Sequence, residues 1–257
     1  MASQTEHAQT FTALHVKGNP LIIFNVWDAG TAKIMAEAGA KAIATGSWAV
    51  AVANGYEDGE KIPLDLVIAN LQRVIASVDL PVSLDFEGGY GRSPADVRAA
   101  VSKVIEAGAI GINFEDQIIG GDSLYPIDEQ VARIEAIREA ANKAGVPFFI
   151  NARTDIFLNH SPDTHSDAHL EEAIIRAAAY AGAGASGFFA PGLVDAEKIR
   201  ILCDQVSLPV NILVRPNAPS LKEMAALGVA RISFGSGSYR IAMNAFRQAA
   251  QSALALE

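Results

Sequence analysis

Cysteine is almost absent from the sequence: Cys203 is the only thiol among 257 residues. One thiol can form neither an intrachain disulfide framework nor a cysteine-based zinc site. We therefore expect a protein of a reducing compartment, for which the cytoplasm is the best fit.

Long hydrophobic runs are also absent. No stretch of about 18 uninterrupted apolar residues could span a bilayer. The segment from Met1 to Thr10 is polar and lacks the apolar core of a signal peptide. The sequence thus predicts a soluble chain with no membrane partner.

Positive charge is scarce: 20 Lys and Arg stand against 29 Asp and Glu, which gives a net charge of −9. A surface that neutralises a phosphate backbone needs the opposite balance. We therefore expect no nucleic-acid partner.

The apolar content is high, because half of the residues are hydrophobic and only 19% are charged. Such a chain can bury a large core, which excludes intrinsic disorder. The length suits one α/β domain, and no linker or low-complexity tract divides the chain. We predict a single domain over residues 1–257.

Short, nearly continuous apolar runs alternate with amphipathic stretches along the whole chain. Such runs are typical of buried parallel strands. The predicted strands are 21–28, 42–47, 81–87, 111–116, 148–155, 187–192, 210–216 and 230–235. The predicted helices are 31–39, 64–77, 94–107, 128–144, 168–182, 195–205, 220–227 and 237–253.

Eight strand-helix units in series predict a (β/α)8 TIM barrel. The main alternative, an open doubly wound sheet, is disfavoured because no strand leads into a G-x-G-x-x-G helix start and polar residues end most strands. No predicted strand contains lysine, which disfavours an aldolase that forms a Schiff base on a buried amine.

Acidic residues end the third and fourth strands. Asp85 and Glu87 share one face of strand three, as Asn113 and Glu115 do on strand four. If that face points to the barrel axis, three carboxylates converge, and their oxygens are hard ligands suited to Mg²⁺ or Mn²⁺. The alternative is that these carboxylates are solvated or paired with Arg153.

Two further features could bind an anion. Arg153 on strand five could hold a substrate carboxylate in bidentate fashion. It could equally form a structural salt bridge to Glu87 or Glu115. The small residues Thr45, Gly46 and Ser47 open a loop after strand two, where free backbone N–H groups could receive an anionic oxygen. The alternative there is an ordinary turn.

Five segments in order resemble the motif series of the isocitrate lyase and phosphoenolpyruvate mutase superfamily. The resemblance covers at least residues 21–155. The segments are Trp27-Asp28-Ala29-Gly30, Thr45-Gly46-Ser47 with Glu57-Asp58 behind it, Asp85-Phe86-Glu87-Gly88-Gly89-Tyr90-Gly91, Asn113-Phe114-Glu115-Asp116-Gln117 and Asn151-Ala152-Arg153-Thr154-Asp155.

The resemblance implies a site with Mg²⁺ among Asp85, Glu87 and Glu115, chelated by the 2-oxo acid substrate. Glu87 stands where the family usually has aspartate. The resemblance also implies catalytic roles for Asp58, Arg153 and Glu115. The predicted substrate-binding residues are Trp27, Thr45, Gly46, Ser47, Asn113, Arg153 and Asn211.

The loop after strand four departs from the family pattern. Lyases of the family carry a Lys-Lys/Arg-Cys-Gly-His segment there, which protonates the departing enolate. Mutases carry a Lys-Thr-Asn-Ser-type segment. Residues 118–126 contain no Cys, Lys, His or Asn, and Cys203 lies on the helix after strand six. Neither founding activity is therefore expected.

The predicted function is that of a Mg²⁺-dependent enzyme that makes or cleaves a C–C bond next to a small 2-oxo acid. The reaction would pass through a metal-stabilised enolate, by decarboxylation, hydrolysis or retro-aldol cleavage. One alternative is P–C bond chemistry with Asp58 as phosphoryl acceptor. A second is a protein that binds a dicarboxylate without catalysis.

The last predicted helix, 237–253, carries an apolar stripe of Ile241, Ala242, Ala245, Phe246 and Ala249. In the resembling family the eighth helix is exchanged between subunits, in dimers that pair into tetramers. A homodimer or homotetramer is therefore expected. The alternative is that the stripe packs on its own barrel.

Overall fold

Eight parallel strands form one sheet in the computed structural model, which describes residues 2–255. The strand order is β1-β8-β7-β6-β5-β4-β3-β2, and each strand is hydrogen-bonded to the next in this order. The two end strands, β1 and β2, are not paired with each other in the sheet. The strands are β1 Leu21–Ile23, β2 Ile43–Ala44, β3 Val82–Asp85, β4 Gly111–Glu115, β5 Phe149–Arg153, β6 Gly187–Phe189, β7 Val210–Leu213 and β8 Arg231–Ser233.

The sheet closes into a barrel just beyond β1 and β2. Val26 and Thr45 form an isolated parallel bridge. The Val26 N–H donates to the Ala44 carbonyl at 3.0 Å, and the Gly46 N–H donates to the Val26 carbonyl at 3.0 Å. The predicted (β/α)8 TIM barrel is confirmed.

Ten α-helices surround the barrel or flank it in residues 2–255, and eight of them match the predicted ones. Ser93 and Ser220 begin two of these helices with capping boxes, and Gly145 ends another with a φ of 70°. The helices are α1 Gln4–Ala13, α2 Ala29–Glu37, α3 Ser47–Ala53, α4 Leu64–Ser77, α5 Pro94–Glu106, α6 Ile127–Ala144, α7 Asp167–Gly182, α8 Ala196–Gln205, α9 Leu221–Ala226 and α10 Gly237–Leu254.

The apolar core lies between the strands and the outer helices. Leu84, Ile112 and Ile150 are almost fully buried, and they alternate with Asp85, Asn113 and Asn151 along their strands. Because successive side chains of a strand point to opposite faces, one set packs outward and the other points into the barrel.

Helix α1 was not predicted, and it packs against the start of β5. The Phe11 ring meets Phe149 edge-on with centroids 5.2 Å apart, and His15 stacks on the same ring at 4.2 Å. Helix α3 occupies seven residues of the segment for which the sequence predicts a loop after strand two. Both helices depend on contacts that the polar or small residues of their segments do not reveal.

Helix α10 lies largely exposed. Ser238 is its only buried residue among those described, while Ile241 is 60% exposed and Phe246 is 72% exposed. These exposures show that the stripe of α10 is not packed on its own barrel, and exchange between subunits stays a prediction. A second apolar surface, with Ile22 of β1 and Met35 of α2, lines a groove of about 580 Å³.

No helix within residues 2–255 combines the length and the apolar character needed to cross a bilayer.

We expect self-association through α10, because an exposed apolar stripe on a helix is stabilised by burial against another surface. Light scattering at micromolar concentration should give the mass of a dimer or tetramer. Phe246→Glu should lower that mass, whereas Gln248→Glu on the same helix should not. A monomeric mass for the wild type would contradict the exchange.

His15 should make stability depend on pH. Burial lowers the pKa of this imidazole to about 3 from its ordinary value of 6.5. Between those values the unfolded chain binds a proton that the folded chain does not, so the free energy of unfolding falls as pH falls. From pH 7 to pH 5 the wild type should lose about 2 kcal/mol more than His15→Gln. Equal losses in urea unfolding would contradict this assignment.

Candidate active site

A cavity of about 230 Å³ opens where the strands end. Six of the predicted site residues line it, together with ten that were not predicted. The predicted ones are Gly46, Ser47, Asp58, Asp85, Asn113 and Arg153, and the others are Asn25, Trp48, Leu158, Phe189, Pro191, Leu213, Arg215, Ser233, Gly235 and Ser236.

Asp85 is held by hydrogen bonds from both sides. Its Oδ2 accepts from the backbone N–H and the Oγ of Ser47, each at 2.9 Å. Its Oδ1 accepts a long contact of 3.3 Å from Asn113 Nδ2, and Asn151 Nδ2 in turn donates to Asn113 Oδ1 at 2.9 Å. The carboxylate is therefore fixed at the cavity wall while Oδ1 keeps most of its capacity to accept.

The predicted free N–H groups of the loop after β2 are not found. The Thr45 N–H donates to the Ser83 carbonyl at 3.1 Å, the Gly46 N–H to Val26, and the Ser47 N–H to Asp85. That part of the prediction is wrong, because barrel pairing uses the N–H groups of Thr45 and Gly46 and the Asp85 carboxylate accepts from that of Ser47. The Ser47 side chain nevertheless lines the cavity.

Glu87 reaches away from the cavity toward Glu60, which sequence reasoning missed. The Glu60 N–H donates to Glu87 Oε2 at 2.7 Å, and the Tyr90 N–H donates to Glu60 Oε1 at 2.7 Å. All three residues have left-handed backbone, with φ of 59° at Glu60, 50° at Glu87 and 54° at Tyr90. Left-handed non-glycine residues are strained and cluster at functional sites.

The carboxyl groups at this end of the barrel repel one another; Glu87 is buried, Asp85 is half-buried and Asp58 is exposed. Burial, and then the charges of Asp58, Asp85 and Glu60, raise the pKa of Glu87 to about 7, against a backbone hydrogen bond that lowers it. Burial and Asp85 also raise the pKa of Asp58. Within residues 2–255, Asp58, Asp85 and Glu87 form no ion pair with an arginine or a lysine, so a bound cation would favour their charged forms.

Arg153 forms ion pairs within the protein. Its Nε and Nη2 lie 2.5 and 2.7 Å from the two carboxylate oxygens of Asp155, and its Nη1 lies 2.8 Å from Glu115 Oε2. Burial raises the pKa of Glu115 well above its ordinary value, although Arg153 acts in the opposite direction. The predicted alternative of a salt bridge to Glu115 is therefore what the structure shows, while the guanidinium still borders the cavity.

A second buried network fixes the ends of β4 and β5. Asp116 is fully buried, and its Oδ2 accepts from Tyr180 Oη at 2.8 Å and from Arg176 Nη1 at 3.3 Å. Its Oδ1 accepts from the backbone N–H of Asp155 at 3.0 Å. This places Asp155, and through it Arg153.

The loop after β4 folds into a short hairpin. The Ile118 N–H donates to the Ser123 carbonyl at 3.0 Å, and the Tyr125 N–H donates to the Asp116 carbonyl at 2.8 Å. Ile119 packs directly on Gly88, where an added Cβ would lie 2.7 Å from Ile119 Cγ1. The aliphatic side chain of Ile119 therefore lies beside the carboxylates. It belongs to the loop that lacks the cysteine acid of the lyases.

The remaining predicted residues lie outside the main cavity. Thr45 and Glu87 line a small adjoining pocket with Ser47 and Asp85. Three others line neither space. Trp27 meets Tyr239 edge-on at 4.9 Å, Glu115 is turned to Arg153, and Asn211 is buried with its Oδ1 accepting from Ser233 Oγ at 3.1 Å.

The donor set suits a hard divalent cation. Within residues 2–255, no three acidic, histidine or cysteine side chains are close enough together to form a ready-made cage. Mg²⁺ commonly needs only one or two carboxylates and keeps several waters. Asp85 offers such a carboxylate on the cavity wall, and the neighbouring acids supply the negative charge that a cation would balance.

The fold and these strand-end residues define a TIM-barrel protein with an acidic pocket at the carboxyl end of its strands. Residues 11–254 match the phosphoenolpyruvate phosphomutase family. The chain belongs to that family, and with it to the phosphoenolpyruvate mutase and isocitrate lyase superfamily.

Relatives agree with this assignment. The uncharacterized protein Rv1998c of Mycobacterium tuberculosis H37Rv is 32% identical, over 94% of this chain and 88% of its own length. The 2-methylisocitrate lyase of Escherichia coli K12 is 31% identical, over 79% of this chain and 68% of its own length. A candidate phosphonomutase from Burkholderia cenocepacia J2315 has a solved structure with a TM-score of 0.95 and 45% identity, covering 98% of this chain and 100% of that one.

Arg153→Met should destabilise the protein by about 3–5 kcal/mol, because it leaves two buried carboxylates without their cation. The control is Arg200→Met, since Arg200 pairs with Glu197 and Asp204 at an exposed site. That change should alter stability by less than about 1 kcal/mol. Urea unfolding measures both, and equal effects would show that the Arg153 pairs contribute little.

Proposed function

We propose that this protein is a Mg²⁺-dependent enzyme that cleaves or forms a C–C bond next to a small 2-oxo acid. The observation that carries the proposal is that Ser47 holds Asp85 on the wall of a cavity of about 230 Å³, beside Asp58 and close to the buried Glu87. Membership of a family that includes 2-methylisocitrate lyase supports it.

Bound Mg²⁺ would polarise the 2-oxo carbonyl and stabilise the negative charge that develops on its oxygen when a bond at C3 breaks. Asp85 would hold the cation, with Glu87 and Glu115 contributing charge from nearby. Ser47 fixes the orientation of Asp85 through two hydrogen bonds. Asn113 donates to the same carboxylate and borders the cavity, so it is placed to orient a substrate oxygen.

Arg153 would present positive charge to a substrate carboxylate from the cavity wall. Because its Nε and Nη2 donate hydrogen bonds to the Asp155 carboxylate, the Arg153 guanidinium is held in one orientation before a substrate binds. Such preorganisation favours binding of a planar anion.

The first alternative is P–C bond chemistry with Asp58 as phosphoryl acceptor. Its support is that Asp58 lines the cavity with Asp85. A nucleophilic carboxylate must be ionised, and burial raises the pKa of Asp58, so a cation beside it would be needed. The second alternative is dicarboxylate binding without catalysis, which the lack of a lyase-type cysteine acid in the loop 118–126 favours.

Product analysis tests the three possibilities. Oxaloacetate, phosphonopyruvate, substituted malates and 2-methylisocitrate are incubated with the protein, with and without Mg²⁺. We expect Mg²⁺-dependent C–C bond cleavage of at least one of the other acids. Cleavage of 2-methylisocitrate should be negligible, because no residue of the loop 118–126 replaces a cysteine acid.

Each outcome has a distinct meaning. Conversion of phosphonopyruvate to pyruvate and phosphate, or to phosphoenolpyruvate, would favour P–C chemistry, and binding without turnover would favour the non-catalytic role. Turnover of 2-methylisocitrate at about 1 s⁻¹ or more, the ordinary range for enzymes, would show that another residue donates the proton.

Asp85→Ala should abolish stabilisation of the protein by Mg²⁺, since Asp85 is the carboxylate best placed to hold the ion. The melting temperature is measured with and without Mg²⁺ for the wild type, Asp85→Ala and the surface control Asp65→Ala. The control should respond to Mg²⁺ as the wild type does. Equal Mg²⁺ affinity of Asp85→Ala and wild type by calorimetry would place the metal elsewhere.

A further inference from the structure

Arg231 is a buried cation that has no acid beside it. The residue begins β8 and is fully buried. Its Nε donates to Ser233 Oγ at 3.2 Å, whereas its Nη1 and Nη2 have no hydrogen-bond partner. Among residues 2–255, no carboxylate lies within 4.0 Å of its guanidinium. A charge away from water is unfavourable unless an opposite charge compensates for it.

The side chain of Arg231 points into the barrel, beneath the main cavity. Side chains alternate along a strand, so Arg231 points to the same side as Ser233, which lines the cavity two residues further on. The Arg231 Cζ lies 5.8 Å from the centre of the Phe11 ring of α1. The guanidinium therefore lies in the barrel interior, between α1 and the cavity.

A first series of hydrogen bonds leads from Arg231 to β7. Ser233 Oγ accepts from Arg231 Nε and donates to Asn211 Oδ1 at 3.1 Å. Because a guanidinium can only donate, the hydroxyl accepts from it and keeps its own proton for Asn211. The Asn211 oxygen is thereby turned to β8. Its buried Nδ2, which has no partner, is turned away from β8.

A second series of hydrogen bonds ends at Asp85. Asn151 Nδ2 donates to Asn113 Oδ1 at 2.9 Å, and Asn113 Nδ2 makes the long contact of 3.3 Å to Asp85 Oδ1. Because an ionised carboxylate can only accept, Asp85 fixes the amide of Asn113, and Asn113 in turn fixes that of Asn151. The donors of both series therefore point the same way, from the side of Arg231 to the side of Asp85.

The two series approach each other at β6, which lies between β5 and β7. Gly187 of β6 is in register with Asn151, and a Cβ at this glycine would lie 2.9 Å from Asn151 Oδ1. The oxygen of Asn151 is thus turned to β6 from one side, and Asn211, with its unused donor, lies on the other side. The polar interior of the barrel is interrupted there only by a residue without a side chain.

The charge of Asp85 acts on Arg231 through this interior. Burial lowers the pKa of Arg231 to about 10, and the negative charge of Asp85 acts in the opposite direction. The guanidinium is therefore still protonated at neutral pH. Charges interact over longer distances in a protein interior than in water, and aligned dipoles between them strengthen one another.

We propose that Arg231 is a positioning residue for Asp85. Its charge, acting along the oriented amides, favours the orientation in which Asp85 Oδ1 is turned to Asn113 and Oδ2 to Ser47. Because Arg231 is fully buried, it acts on the site only through Asp85 and the side chains between them. The inference concerns the protein without metal or substrate, so it is independent of the proposed function.

The test is a double-mutant cycle on metal-free protein, with EDTA present. Wild type, Arg231→Met, Asp85→Asn and the double variant are unfolded with urea at one protein concentration. A control cycle uses Asp58→Asn in place of Asp85→Asn, since Asp58 lines the same cavity but belongs to neither series. A third cycle combines Arg231→Lys, which keeps the charge, with Asp85→Asn.

We expect Arg231→Met to lower the folding equilibrium constant about tenfold more in the wild type than in Asp85→Asn, because only the wild type has the opposite charge. The Asp58 cycle should be additive within about twofold, as for residues that do not interact. The effect of Arg231→Lys should differ between the wild type and Asp85→Asn by less than about threefold, because the charge is retained.

Additive effects of Arg231→Met and Asp85→Asn would overturn the inference, since a side chain that only fills the barrel does not depend on the charge at position 85. Equal coupling in the Asp58 cycle would overturn it too, because the effect would then belong to the acidic pocket as a whole. If Arg231→Met does not fold, Arg231→Gln takes its place with the same expectations. Either failure would leave the proposed function standing, because no metal or substrate takes part.

Discussion

Burial of several carboxyl groups at one end of a barrel is the constraint on which the rest of this site depends. An ionised carboxylate away from water is unfavourable unless a cation or hydrogen-bond donors accompany it. Arg153 serves Glu115 and Asp155, and Arg176 serves Asp116. Asp85 and Glu87 receive only hydrogen bonds. No neighbouring cation therefore balances their negative charge where the cavity opens. The proposed Mg²⁺ is the group that would balance it.

The same region contains the backbone strain of the molecule. Among residues 2–255, four non-glycine residues have positive φ, and three of them, Glu60, Glu87 and Tyr90, are linked by hydrogen bonds. Arg133 supports the adjoining turn, since it donates to the Gly88 and Gly91 carbonyls and stacks over Tyr125 at 3.9 Å. A strained conformation persists only where its surroundings over-determine it. These contacts therefore keep Glu87 close to Asp85 with its carboxylate turned aside.

The barrel and much of the acidic site could be predicted from the sequence, because strand runs, helix caps and same-face spacing are local patterns. Asp85, Asn113 and Arg153 were placed in this way, and all three line the cavity. The partners were not predictable, because Glu60 contacts Glu87 27 residues away and Asp116 contacts Asp155, Arg176 and Tyr180 39 to 64 residues away. The acceptors of the N–H groups after β2 are set by long-range hydrogen bonds, which the periodicity of the sequence does not predict. Glu60 follows Glu57-Asp58 directly in the chain, and this closeness to a predicted site residue was the one sequence feature that pointed to it.

The central claim is that a divalent cation binds at Asp85, and anomalous diffraction from crystals soaked in Mn²⁺ tests it most directly. Mn²⁺ takes the same hard oxygen ligands as Mg²⁺ and scatters anomalously. Crystals of wild type and of Asp85→Asn, which keeps the shape of the side chain, are compared under one soak. The account predicts an anomalous peak coordinated by Asp85 in the wild type and its loss in the variant. A peak that persists in Asp85→Asn, or one bound elsewhere on the chain, would contradict it.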